Sequence, residues 1–154
     1  VDKLQEWYEN NVAKDFPKLR QKALHLLQEE AELNEIVQLV GVDSLSFTDR
    51  LKLETAKSIR EDYLHQNAFH EIDTFTSTTK QYLLLKMILG WHEAAIKAVG
   101  EGGSFKKITE MSAREQIGRF KYVEEAKIQE QYEAILAEMT AEFDEIVQKE
   151  AELA

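Results

Sequence analysis

Lys80–Val99, KQYLLLKMILGWHEAAIKAV, decides the fold. Read at 3.6 residues per turn, its apolar side chains fall on nearly every side of a helix. Such a helix needs neighbours all round it, so it belongs at the centre of a bundle. Ser77 or Thr78 is placed to cap its start, and the glycine-rich Gly100–Gly103 ends it. Its longest apolar run, Tyr82 to Leu89, is interrupted by Lys86 and is too short to cross a bilayer.

The flanking segments supply the neighbours. A short helix is expected over Asp2–Val12, with Leu4, Trp7 and Tyr8 on one side. Pro17 fits the first turn of a second helix, where its missing N–H costs nothing. That helix carries Leu19, Ala23, Leu26, Leu33, Val37 and Val40 at helical spacing, with Glu30 interrupting the seam and Gly41 as its C-terminal cap. A third helix begins near Ser46 and runs through RLKLETAKSIREDYLHQ, keeping Leu51 (or Leu53), Ala56, Ile59, Tyr63 and Gln66 on one face. Asn67–Ser77, NAFHEIDTFTS, has no sustained period and reads as a structured loop. After Gly103 come short helices, one opened by a Ser112-x-x-Glu115 capping box. A last helix from about Glu124 bears Ile128, Tyr132, Ile135, Met139, Phe143 and Ile146. The fold class is all-α, an irregular helical bundle of long and short helices. Residues 1–154 form one helical domain, with 116–154 a candidate C-terminal helical extension packed on it.

Val42–Arg50, VDSLSFTDR, joins two of these helices and carries two large apolar residues in a polar turn. Ser46 caps the following helix, and Asp49 suits the positive end of its dipole. A hydrophobic staple across Ser46 would pair Leu45 with Arg50, a poor match that leaves Leu45 freer for an outside contact. Phe47 can reach Leu51 one turn on, or face outward.

Composition narrows the function. The chain has no cysteine, which removes disulfides and thiolate metal sites, and a net charge of −10, which argues against nucleic acid and anionic lipid as partners. The opening VDKLQEWYEN resembles no signal peptide, so the expected location is the cytoplasm or the cytoplasmic side of something larger. No glycine is followed by Lys-Ser or Lys-Thr, so there is no phosphate-binding loop. The residues three before His25, His65, His70 and His92 are Lys22, Asp62, Asn67 and Leu89, so no Glu-x-x-His metal motif exists. His65 and His70 with Glu71 and Asp73 fit no common zinc spacing, and no metal site or catalytic residue is expected. Glu29, Glu30, Glu32 and Glu35 read as solvated faces. Trp7, Tyr82, Trp91, Tyr132 and Phe143 read as core. Phe69 and Phe75, on the loop, could plug the core or offer a face to a flat ligand.

Several stretches taken together resemble a known family. They are Trp7-Tyr8-x-x-Asn11-Val12, Glu35-Ile36-Val37-Gln38-Leu39-Val40-Gly41, Ile59-Arg60-Glu61-Asp62, Leu64-His65-Gln66-Asn67-Ala68-Phe69-His70-Glu71-Ile72-Asp73 and Glu115-Gln116-Ile117-Gly118-Arg119. Over essentially its whole length the chain resembles the C-terminal region of the catalytic A subunit of archaeal-type and vacuolar-type rotary ATPases. His65 stands where that family usually has Gln, and Thr76 where it often has Cys. The family's subunit carries a β-barrel, a bulge domain and a phosphate-loop nucleotide domain upstream, so the chain is expected to be an excised C-terminal helical domain, inactive alone.

The resemblance implies two roles. Phe69 would pack on the adenine ring, with Gln66, Asn67 and Ala68 lining that edge. ATP or ADP with Mg²⁺ would be held by the parent subunit and not by this chain, and a non-catalytic B subunit would supply an arginine. The tip formed by Asp43, Ser44, Leu45, Ser46, Phe47 and Asp49 would meet the central rotor stalk and couple ATP hydrolysis or synthesis to rotation and ion translocation. With only Asp43 and Asp49 acidic there, the contact is expected to be steric and apolar. A stand-alone helical adaptor binding a coiled coil is the alternative, and a metal-dependent helical enzyme a third reading.

Overall fold

The structure, a computed structural model, describes residues 3–64 and 78–153, with side chains described from Lys14 onward. Among the described residues every regular element is helical. Helix α1 is Lys3–Val40, α2 is Phe47–Ser58, α3 is Thr78–Gly100, α4 is Phe105–Thr109, α5 is Ser112–Arg119 and α6 is Ile128–Leu153. A 3₁₀ turn at Val42–Ser44 joins α1 to α2, and a π-helical turn at Ile59–Leu64 prolongs α2. No helix among the described residues is long and apolar enough to cross a membrane.

The central helix is where its composition placed it. Tyr82, Leu83, Leu84, Leu85, Met87, Ile88, Leu89 and Trp91 of α3 are all buried. Helices α1 and α2 pack on it and on each other, and α5 and α6 pack on it as well. One apolar cluster runs from Phe16 to Ile146, drawing on both sides of residue 116. The expected stripe of α6 is present, with Ile128, Ile135, Met139, Phe143 and Ile146 buried and Tyr132 packed against them. Helix α3 ends in a Schellman turn. Gly102 has φ +95°, Gly103 N–H donates to Ala98 O at 2.8 Å, and Gly102 N–H donates to Val99 O at 3.0 Å.

Some expectations are corrected. The two helices anticipated on either side of Pro17 are one, α1, with the proline inside it. An internal proline removes one backbone bond and crowds a carbonyl. Here the two residues before it are tied to α3. Phe16 lies edge-on to Tyr82 at 5.7 Å, and the Tyr82 hydroxyl donates to Asp15 Oδ2 at 3.1 Å. Packing on one continuous surface overrides the local signal. Val40, assigned to the seam, is 65% exposed, because the last turn of α1 extends past the bundle. The Ser112 capping box does not form. Ser112 Oγ donates to Glu138 Oε1 at 2.8 Å, while Ser112 N–H and Ala113 N–H donate to the Glu142 carboxylate at 3.1 and 2.8 Å. A carboxylate from α6 thus satisfies the free N–H groups and the positive end of α5.

Candidate functional site

Two places concentrate polar or exposed apolar chemistry: the interior around α5, and the tip where α1 turns into α2. At the α5 junction Arg114 is the hub. Its Nη1 donates to Glu54 Oε1 and to Thr109 O, both at 2.8 Å, and its Nη2 donates to Ser58 Oγ at 3.0 Å. Its guanidinium lies 4.5 Å from the Trp91 ring centroid. One cation therefore joins α2, α3, α4 and α5, in the planar, forked geometry that arginine provides. Nearby, Lys121 Nζ is 3.7 Å from Asp62 Oδ1. Burial raises the Asp62 carboxyl above its ordinary range, and Lys121 opposes that shift. A Cβ on Gly118 would sit 3.2 Å from Asp62 Oδ1, which gives the glycine a packing reason.

Glu29 and Glu30 are not the solvated residues expected. Glu30 accepts both Nε and Nη2 of Arg60, at 3.1 and 2.8 Å, which clamps the π-helical turn to α1. Glu29 is 2.6 Å from Lys52 Nζ and 3.1 Å from His25 Nε2. These groups border a crevice of about 550 Å³ between α1, α2 and α3, walled by Leu26 and Leu89 and floored by His92. His92 Nδ1 is 2.6 Å from the buried Thr55 hydroxyl, and burial holds its pKa below the usual 6.5. The hydrogen bond to Glu29 raises Lys52 above its ordinary value. Glu29 therefore pairs with both Lys52 and His25 at the rim of an open crevice whose lining is mostly apolar.

The tip is built differently. Ser46 Oγ accepts Asp49 N–H at 3.1 Å, the anticipated cap. Ser44 Oγ donates to Gly41 O at 2.7 Å, and Gly41 takes φ +87°, closing the turn. Asp43 is nearly free in solvent, 3.7 Å from Arg50, and Asp49 lies 3.6 Å from Lys52. Leu45, expected to be free for an outside contact, is 8% exposed. The 3₁₀ turn folds it inward, with Leu45 N–H bound to Val42 O at 3.0 Å. Phe47 does not stand bare. It is half exposed and stacks on Phe105 at 5.2 Å between centroids, with planes 25° apart.

Besides Phe47, the apolar residues that face solvent here are ones first assigned elsewhere or left unremarked: Leu39 at 84%, Val40 at 65%, Val42 at 44% and Ile36 at 43%. A signal for them existed. Ile36, Val37, Leu39 and Val40 are more apolar residues than one stripe of a helical turn can bury. Contiguous exposed apolar surface of this kind marks an interaction site more often than a lone exposed leucine does. Gln66, Asn67, Ala68 and Phe69, the adenine-side expectation, lie outside the described residues, as do His65 and His70.

Comparison with known proteins gives a consistent result. A family model described as the C-terminal domain of V and A type ATP synthase matches residues 5–109. The V-type ATP synthase alpha chain of Acetivibrio thermocellus is 49% identical over 152 residues, covering 99% of this chain and 26% of that protein. That of Clostridium botulinum strain Hall is 48% identical over 149 residues, 97% of this chain and 25% of the relative. That of Thermoanaerobacter pseudethanolicus is 53% identical over 127 residues, 82% and 22% respectively. The chain spans about a quarter of the length of the curated relatives it matches.

Proposed function

Because the chain belongs to the family of C-terminal domains of V- and A-type ATP synthases, we propose that it is the helical lever of a catalytic subunit, carrying motion from a nucleotide site to a central stalk. The observation that carries this reading is the exposed apolar crest of Leu39, Val40 and Val42 at the end of the α1–α2 pair. A rotating contact needs shape and stiffness more than a tight bond, and apolar surface on a braced helix end provides both without directional partners to break at each step.

In this mechanism nucleotide, Mg²⁺ and the reacting groups belong to the rest of the subunit and its non-catalytic neighbour. Closure around ATP moves the helical domain as a body, since α1, α2 and α3 share one core. The crest then presses on the stalk, and rotation drives ion translocation elsewhere in the assembly. Gln66, Asn67, Ala68 and Phe69 serve the nucleotide instead. Phe69 offers a flat face to adenine, an interaction that positions the base without touching the phosphates. The identity to alpha chains favours the lever over a stand-alone adaptor, for which the same crest would serve.

The test uses the assembled enzyme. Leu39→Ser with Val40→Ser lowers ions pumped per ATP while the KM for ATP stays put. Unchanged coupling would sink the crest as a stalk contact. Phe69→Ala raises the KM for ATP at the parent site, and an unchanged KM would remove the adenine contact.

A further inference from the structure

We propose that the short helix α4 is a strut for the tip and that Phe105, its first residue, is the positioning residue through which it acts. This rests on the lever reading above. Force on Leu39, Val40 and Val42 falls on the end of α1 and on the turn, where Leu45 is the one buried side chain among residues 38–48. Helix α2 anchors the tip only further along, through the buried Leu51, Thr55 and Ala56. The first turn of α2 is instead held from the side. Phe47 lies flat on Phe105, and the Arg50 guanidinium sits 5.3 Å from the Phe47 ring while its Nη2 is 3.7 Å from Asp43. Turn, ring stack and α2 are therefore one linked group.

Helix α4 is suited to take that force. Five residues do not hold a helix by themselves, so its shape comes from its anchors. Ile108 is fully buried, Ser104 Oγ accepts Lys107 N–H at 3.3 Å, and Thr109 O accepts Arg114 Nη1 at 2.8 Å. The chain enters α4 through Gly103, where a Cβ would lie 2.9 Å from Ala98 O, so the turn sits directly against the end of α3. The strut runs from the end of the central helix, through Gly103 and Ile108, to Phe105 and Phe47. It gives the tip a second route to the core besides α2.

In the assembled enzyme, Phe105→Ala is expected to lower ions pumped per ATP with the KM for ATP unchanged. Amide exchange at residues 47–50 should speed up roughly two- to tenfold, the range an aromatic pair is worth. Phe105→Tyr restores both. Phe47→Ala reproduces the loss, and the double variant is no worse than either single one, because both remove the same contact. If Leu39→Ser with Val40→Ser uncouples the enzyme but Phe105→Ala does not, the strut is wrong and the lever stands. If neither uncouples it, both are wrong. Should Phe105→Ala fail to assemble, Phe105→Leu decides, since it keeps apolar burial and loses the flat face; full coupling in that variant overturns the strut.

Discussion

The α5 junction and the α1–α2 tip solve opposite problems. At the junction each charged or polar group is answered from a distant part of the chain: Arg114 by Glu54 and Ser58, the start of α5 by Glu142, Asp62 by Lys121. At the tip the polar groups are answered within a few residues, Ser44 by Gly41 and Asp49 by Ser46, and apolar side chains face water. Long-range polar contacts fix helices relative to one another. Local caps fix only the shape of a turn, which leaves its surface free for a partner. The polar contacts that hold helices together thus run across the chain, whereas those of the α1–α2 turn run along it.

Substitutions can break that contrast, in descending order of effect. Arg114→Ala leaves Glu54 partly buried without its cation and removes the layer over Trp91. The expected loss is about 3 kcal/mol, read from the urea midpoint of the isolated chain. A loss below about 1 kcal/mol would mean the junction is no more wired than the surface. Leu45→Ala empties a buried site inside the tip and should cost about 2 kcal/mol, whereas Leu39→Ala should stay within about 0.5 kcal/mol. Equal costs for the two leucines would erase the distinction between the turned-in and turned-out faces. Ser46→Ala removes a local cap and should cost about 1 kcal/mol, with the effect confined to exchange rates near the start of α2.

The smallest expected effect is a pH dependence. His92 is buried beside Thr55 and its folded pKa lies below 6.5, so the unfolded chain takes up the proton first as pH falls. Stability is therefore full above the unfolded value, declines as pH drops below about 6.5, and stops declining once the folded group also protonates. Asp62 acts with the opposite sign, in a window that opens at the unfolded value of 3.8. Its raised folded pKa lets the native state bind the proton first, so its contribution grows as pH falls toward the unfolded value of 3.8 and is lost as pH rises through the folded one. His92→Gln should flatten the slope just below pH 6.5 and leave the Asp62 window alone. An unchanged slope there would show that burial does not hold His92 neutral.

Much of the fold was legible beforehand, and the reasons are local. KQYLLLKMILGWHEAAIKAV announces a buried helix because no other arrangement hides so many apolar faces. Ser46 and the Gly102–Gly103 turn were legible because caps depend on a few adjacent residues. The misreadings share a cause as well. Pro17, Ser112 and Glu30 were each assigned from near neighbours, yet each takes its state from a residue or surface far along the chain. Nothing beside Ser112 announces Glu142, thirty residues later. The turn between α1 and α2 lies where its capping residues put it, with Leu45 turned in and Leu39, Val40, Val42 and Phe47 exposed. The family resemblance reached the whole chain because it sums many weak local matches.

The helical class, the central helix, the turn between α1 and α2 and the family were all readable from the order of residues alone. Periodicity and capping are properties of residues a few positions apart, so the chain states them directly. Only the tertiary structure decided which leucine of the tip faces solvent, that Glu29 and Glu30 are bound to Lys52 and Arg60, and that Phe47 rests on Phe105. Those outcomes depend on where helices distant in sequence come to lie, and a side chain's exposure is fixed by what finally packs beside it.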